Sequence, residues 1–184
     1  MSDKYKIFDG DEVYFVTFTI VDWIKVLEDD SYKQLIIDSI KYYQINRGLV
    51  VYAFCIMPNH VHMIVQATGK NNISEILRDL KKITSRQIVK KLEDQKKEGY
   101  KEVLKKFSAA GEPLKRIKNY KVWLDGNRAK LIYSNKFLME KLNYIHNNPI
   151  GYGLCAFAWE YKYSSAVNYA GKESVLDVVL LSIW

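Results

Sequence analysis

Two strand-like runs, LVVYAFCIM (49–57) and HVHMIVQ (60–66), are separated by only Pro58 and Asn59. A two-residue gap with turn chemistry calls for an antiparallel hairpin, because parallel neighbours need a crossover of about a dozen residues or more. The rest of the chain has to be arranged around that hairpin. Upstream, EVYFVTFTIV (12–21) is dense in β-branched and aromatic residues and partly alternates, which predicts a first strand. Between the two, DSYKQLIIDSIKYYQIN (30–46) puts Leu35, Ile36, Ile40 and Tyr43 near helical spacing, and the following Arg47-Gly48 punctuates its end.

After the hairpin, ATGKNN reads as a loop and Ser74 is placed to cap a helix over ISEILRDLKKITSRQIVKKL. Ile76, Leu77, Leu80, Ile83 and Ile88 form its apolar stripe, with Arg78, Lys81, Lys82 and Arg86 on the other face. From Glu93 to Lys118 the sequence is strongly charged and is broken by Gly99, Gly111 and Pro113. It reads as an inserted helix and loop within a single domain spanning 1–184. KVWLD (121–125) is expected as a short edge strand, with Trp123 read as core. Ser134 begins a second well-signalled helix, SNKFLMEKLNYIHNN, which Pro149 should stop. The remaining GYGLCAFAWEYKYSSAVNYAG is aromatic and turn-rich and should pack around the core. This order of elements outlines an α+β fold, an antiparallel sheet with helices on one face and the other face free to meet a ligand.

The formal charge is +7, and its distribution says more than its total. Residues 70–130 carry about 18 of the 28 basic residues and about 8 of the 21 acidic ones, so this middle third is where a polyanion would be drawn. Nucleic acid is the obvious polyanion, although a solvated lysine-rich helix surface has the same composition. The two cysteines, Cys55 and Cys155, form no C-x-x-C pair and read as buried thiols. No apolar run approaches the roughly 20 residues of a membrane span, and MSDKYKIFDGDE lacks a signal peptide's apolar stretch. A soluble, cytoplasmic protein without a membrane partner is expected.

Two of only three histidines, His60 and His62, lie two apart on a predicted strand, so both imidazoles leave one face of the sheet while Val61 and Met63 leave the other. That geometry suits a shared metal ion lacking at least one further ligand, and it also suits ordinary half-buried histidines. On the late helix, Leu138, Leu142 and Ile145 define a core stripe, and Lys141, Tyr144 and Asn148 fall on a neighbouring face. A cation, a phenol and an amide oxygen thus line up. If that helix crosses the histidine strand, Asn148 can become a third ligand while the phenol faces the open position. His146, two residues past Tyr144, points to another side of the helix.

The run AFCIMPNHVHMIV resembles the HUH motif segment of REP-associated and insertion-sequence single-tyrosine transposases. KLNYIHNNPIGYGL resembles their tyrosine helix, and the later YKYSSAVNYAG resembles the segment after that helix. The likeness extends from VYFVTFTI through VWLDGNRAKLIYSNKF to SSAVNY and covers most of the chain apart from the charged insertion, which is longer than compact members require. Asn147 stands where relatives often have an apolar residue. The resemblance implies a ferredoxin-like, RRM-like nuclease domain, His60 and His62 as metal ligands, Tyr144 as nucleophile and Asn148 as the polar third ligand.

The implied reaction is attack of Tyr144 on a phosphate of single-stranded DNA, giving a 5′-phosphotyrosine and a free 3′-hydroxyl. A free phenol is mostly protonated at neutral pH, so position and metal must activate it. Magnesium or manganese suits a mixed nitrogen and oxygen site acting on phosphate, and two histidines also accommodate zinc. Lys81, Lys82, Arg86 and Lys141 are the candidate DNA contacts, and hairpin or single-stranded DNA is the expected partner. Whether two chains form a homodimer by exchanging tyrosine helices is left open. A module that binds hairpins without cutting them and a metal-dependent hydrolase acting through water are the competing readings.

Overall fold

In the computed structural model, residues 12–69, 72–112 and 120–181 are described. The chain start, Lys70 and the last part of the charged insertion lie outside them. The elements are β1 (Tyr14–Thr19), α1 (Asp30–Arg47), β2 (Leu49–Ile56), β3 (His60–Ala67), α2 (Ile73–Gln95), α3 (Tyr100–Gly111), β4 (Lys130–Leu131), α4 (Asn135–Gly151) and the short α5 (Ala166–Tyr169). The four strands form one antiparallel sheet in the order β2-β3-β1-β4. The α+β antiparallel architecture is the one expected. Among the described residues no helix is long and apolar enough to cross a membrane.

Local chemistry accounts for most boundaries. Asp29 caps α1 by accepting the Ser31 amide at 2.8 Å, and Gly48 ends it at φ 62, a left-handed conformation that glycine adopts without steric cost. Pro58 and Asn59 turn the chain between β2 and β3, closed by the Met57 N–H donating to the His60 carbonyl at 2.8 Å. The cap of α2 is Asn72, not Ser74: the Asn72 side chain accepts from the Ser74 amide at 2.8 Å. Ile83 does not join the buried stripe and is 41% exposed. Thr84 takes the inward position instead, where it accepts the Trp123 indole N–H at 3.0 Å and donates to the Leu80 carbonyl at 2.7 Å. Trp123 is therefore core.

The main core lies between one sheet face and the α1/α2 layer. Val16 and Phe18 of β1, Val51, Phe54 and Ile56 of β2 and Val61, Met63 and Val65 of β3 meet Ile36, Ile37 and Ile40 of α1 and Ile76, Leu77, Leu80 and Ile88 of α2. The charged insertion is tied to this core by Phe107 of α3, which is fully buried and whose carbonyl accepts the Lys121 amide at 2.9 Å. The opposite sheet face, expected to be free, is partly covered by α4. Leu142 and Ile145 pack there with Phe15, Ala53, Cys55, Met57 and Ile64.

Small residues lie under α4 because β2 carries a bulge. Val51 pairs with Val65 and Ala53 pairs with Ile64, so Tyr52 has no partner of its own and the alternation inverts after it. Ala53 and Cys55 consequently face α4, while Phe54 and Ile56 face the main core.

Two expectations about edges fail. Residues 121–125 form only a bridge from Trp123 to Ile20, and the fourth strand is β4, paired with Tyr14 and Phe15. Left-handed residues Gly126 (φ 72) and Arg128 (φ 43) turn the chain between the two. Pro149 does not stop α4, which runs on to Gly151. Its missing N–H costs one bond close to the helix end, and the Asn148 and Pro149 carbonyls are capped by the amides of Tyr152 (3.0 Å) and Leu154 (2.9 Å). Cys55 is buried and Cys155 is half-buried; both are free thiols.

The segment after α4 bridges to the edge of β2. The Ser165 N–H donates to the Phe54 carbonyl at 2.9 Å, and the Ser165 hydroxyl oxygen lies 2.9 Å from His146 Nε2, which ties α4 to the sheet. Burial pushes the His146 pKa down to about 4. The unfolded chain therefore takes up a proton near pH 6.5 that the folded chain refuses until about pH 4. Stability from this group is complete above pH 6.5 and is lost as the pH falls toward 4. His146→Gln, which keeps a polar partner for Ser165, is expected to flatten the acid slope by up to about 3 kcal/mol, read from urea unfolding at pH 7 and pH 4.5. Gly48→Ala, which places a Cβ on a left-handed backbone, should cost about 1 kcal/mol, read as a lower urea midpoint with unchanged m-value.

Candidate functional site

The antiparallel register puts Thr17 opposite His62 and Thr19 opposite His60, all on the face that α4 crosses. The two imidazoles lie with ring centroids 4.6 Å apart. The Tyr144 ring stands edge-on to His62 with centroids 5.1 Å apart, and Phe15 stacks on His62 at 5.5 Å. Tyr144 follows Leu142 and precedes Ile145, and those two buried residues fix the rotation of α4 that presents the phenol. Tyr144 is itself 48% exposed.

Each imidazole is held by its Nδ1. His62 Nδ1 is 2.9 Å from the Thr17 hydroxyl, and His60 Nδ1 is 2.7 Å from the Asn59 side-chain oxygen. The Nδ1–H of His60 donates to the Asn59 oxygen and leaves its Nε2 as the lone-pair nitrogen, and the tautomer of His62 whose Nδ1–H donates to Thr17 does the same. The His62 Nε2 is buried and has no hydrogen-bond partner among the described residues. Asn148 of α4 lines the same cleft as His60 and opposes the lowering of its pKa. Burial lowers the pKa of His60, and burial with the neighbouring His60 lowers that of His62 to about 3. Both rings are thus neutral near pH 7, the form that can donate to a cation.

Among the described residues no cluster of three or more His, Cys, Asp or Glu could hold a metal. The donor set available is two imidazole nitrogens and the Asn148 amide, which leaves positions free for oxygen from a substrate. An orphaned, buried and neutral Nε2 beside a second imidazole fits a metal better than it fits a packing role, since a buried polar atom without a partner is otherwise costly.

These groups lie in a cleft of about 480 Å³ whose other lining includes Trp23, Arg128, Lys130 and Lys141. Among the described residues no carboxylate lines it. Lys141 Nζ sits 4.8 Å from the Phe137 ring centroid, 5.7 Å from that of Phe15 and 5.9 Å from that of Tyr144, with its charge shared with Glu140 at 2.6 Å. Lys141 is therefore partly neutralised by an acid that lies just outside the lining, whereas Arg128 and Lys130 line the cleft as well.

His60, His62, Tyr144, Asn148 and Lys141 are thus brought together. Lys81, Lys82 and Arg86 are not, because α2 packs on the opposite face of the sheet. Lys81 donates to the carbonyls of Leu124 (2.7 Å) and Gly126 (2.8 Å) and lies 5.4 Å from the Phe18 ring centroid. Lys82 and Arg86 are exposed on α2. Asn147 is exposed as well.

Sequence reasoning missed Thr17, Trp23, Arg128 and Lys130. Strand parity signals Thr17, on the same face as Phe15 and two residues from it. Nothing in the spacing marks Arg128, whose φ of 43 belongs to a turn in tertiary context. Asp22 (φ 53) and Trp23 (φ 55) are likewise left-handed without being glycine, at a cost of ~1–2 kcal/mol each.

The family model described as transposase IS200-like matches residues 13–121, more than half of the chain, including the histidine strand and ending before α4. Comparison with curated proteins gives no match. Among solved structures, a REP-associated tyrosine transposase bound to a REP hairpin is similar over 100% of this chain and 95% of its own, with 17% identity and a TM-score of 0.66. At that identity the likeness establishes the fold. A candidate transposase from Deinococcus radiodurans R1 is 19% identical over 79% of this chain and 97% of its own, with a TM-score of 0.42.

Thr17→Val keeps the shape of the residue but removes the hydroxyl that orients His62. It is expected to weaken Mn²⁺ binding about 10- to 100-fold, measured by titration calorimetry, with thermal stability little changed.

Proposed function

This chain belongs to the IS200-like transposase family, and on that premise we propose that it cleaves and rejoins single-stranded DNA through a covalent 5′-phosphotyrosine on Tyr144. The observation that carries the proposal is the contact of the Tyr144 ring with His62, 5.1 Å between centroids, in a cleft whose lining, among the described residues, holds three cations and no carboxylate. A phenol exposed at such a place has a phosphate-sized space before it and no packing partner that needs its hydroxyl.

The step is an exchange of esters. The bond from the Tyr144 oxygen to phosphorus forms as the bond from phosphorus to the 3′-oxygen breaks, and the phenol proton passes to water. The departing 3′-oxygen takes up a proton and becomes a free hydroxyl. Return of a 3′-hydroxyl to the same phosphorus reverses the exchange and frees the tyrosine, so phosphodiester energy is conserved and no nucleotide cofactor is needed. Lys141, Lys130 and Arg128 neutralise the phosphates that flank the point of attack. Phe15 backs both the His62 and Tyr144 rings and limits their motion, which favours the in-line approach.

His60, His62 and Asn148 would hold a divalent cation, Mg²⁺ or Mn²⁺. When bound, such an ion polarises a non-bridging phosphate oxygen and offsets charge developing in the transition state. Asn59 keeps His60 in the donating tautomer, and Thr17 holds His62 by the same ring nitrogen. The nucleophile and the imidazole pair belong to one chain, so the proposed centre requires no exchange of helices with a second copy. Residues 1–184 are proposed to act as one domain. By analogy with the hairpin bound by the solved relative, the substrate class is DNA with a hairpin beside a single strand. Lys82 and Arg86, exposed on α2, remain available to other parts of such a ligand.

Incubation with a labelled hairpin-bearing single strand and Mn²⁺ should give a protein–DNA adduct that survives denaturing electrophoresis. Tyr144→Phe should abolish it, and His60→Ala and His62→Ala should reduce it by a factor of about 100 or more. Tight binding without an adduct across a panel of hairpins would favour a non-cleaving module. Free 5′ ends insensitive to Tyr144→Phe would favour a hydrolase.

A further inference from the structure

Tyr144 and Trp23 flank the imidazole pair, Tyr144 against His62 and Trp23 edge-on to His60 with ring centroids 6.1 Å apart. Trp23 lines the cleft and is 53% exposed, whereas Trp123 is spent on the core. An indole half in water contributes little packing.

The chain nevertheless goes to some length to hold it there. Asp22 and Trp23 are consecutive non-glycine residues in the left-handed region, a conformation that persists only where surrounding bonds over-determine it. The Trp23 N–H donates to the Ile20 carbonyl at 3.1 Å, and the Ile24 N–H donates to the Val21 carbonyl at 3.2 Å. The Asn59 side chain joins this turn to the site: its amide nitrogen donates to the Trp23 carbonyl at 3.3 Å, and its oxygen meets His60 Nδ1 at 2.7 Å. One carboxamide therefore keeps the Trp23 turn and the His60 ring in register.

We propose that Trp23 is the stacking platform for an unpaired nucleobase next to the scissile phosphate, with Asn59 as the residue that positions it. The inference rests on the nuclease reading and adds a base subsite to it. An indole face is the side-chain surface best suited to a nucleobase, and stacking tolerates any base because every base has a π-face. Cations of the cleft would take the phosphates on either side while the base lies on the indole, so the strand is gripped by backbone and base together. The platform and the nucleophile then bracket the imidazole pair, which fixes the reacting phosphate between them.

The test pairs Trp23→Ala with DNA carrying an abasic site at one or the other nucleotide flanking the cut. In the wild-type protein, loss of the base at one flank should lower adduct formation about tenfold. Trp23→Ala should cause a similar loss with intact DNA and no further loss with that abasic strand, and Trp23→Phe should restore most of the activity. An unchanged melting temperature in Trp23→Ala excludes misfolding. The same abasic series, moved along the whole strand and read as affinity by fluorescence anisotropy in Tyr144→Phe, needs no chemistry. Adduct formation with losses that multiply at both flanks, or with no effect of Trp23→Ala, overturns the platform and leaves the nuclease standing. Coupling in affinity with no adduct from wild type sinks the nuclease reading alone. Absence of both removes both.

Discussion

The seating of Leu142 and Ile145 of α4 on Ala53, Cys55 and Ile64 is the contact on which the rest of the site depends. Burying these two side chains contributes on the order of several kcal/mol, and it fixes both the height and the rotation of a helix that carries Tyr144 and Asn148. The histidine strand is held independently, paired on both sides within the sheet. Two parts of the chain remote in sequence thus meet because one apolar stripe finds one patch of small residues. The link between His146 and Ser165 reinforces the same docking from the far side of the helix.

The electrostatics follow from that burial. Covering the imidazoles with α4 and Phe15 makes their charged forms unfavourable, so the positive charge of the cleft comes from Arg128, Lys130 and Lys141 and not from histidine. Neutral ring nitrogens and permanent cations then occupy separate zones of a single cleft. A phosphate can be attracted by one zone while a cation is bound by the other, a division that two protonated histidines would destroy.

Much of this was legible in the sequence. The hairpin followed from the two-residue gap at Pro58-Asn59, the face shared by His60 and His62 from strand parity, and the Lys141, Tyr144 and Asn148 face from helical spacing. Other features depend on tertiary context, which a local pattern does not carry. Thr84 replaces Ile83 in the core because Trp123 needs an acceptor for its indole N–H. Lys81 looked like one of a row of solvent-facing cations and instead holds the Leu124 and Gly126 carbonyls. The fourth strand moved from 121–125 to Lys130–Leu131 because two left-handed residues redirect the chain. Pro149 was read by its general effect on helices, which is weak when only one turn remains. Trp23 was invisible because its importance comes from where a turn sits, not from any spacing.

The bulge at Tyr52 has a consequence for how such a chain can change. It is the one place where β2 spends two successive residues on the same side, and every side chain from Ala53 to Ile56 owes its direction to that extra residue. Deleting Tyr52 would remove the bulge and leave the faces of Ala53 to Ile56 as they are, since Val51 and Ala53 would then alternate regularly. Pairing β2 without the bulge while keeping every residue would instead swap Phe54 and Ile56 into the seat of α4 and send Ala53 and Cys55 into the main core, jacking the helix outward on one side and leaving a void on the other. Register is therefore fixed at this strand, while the charged stretch around α3 can grow or shrink with far less harm to the cleft.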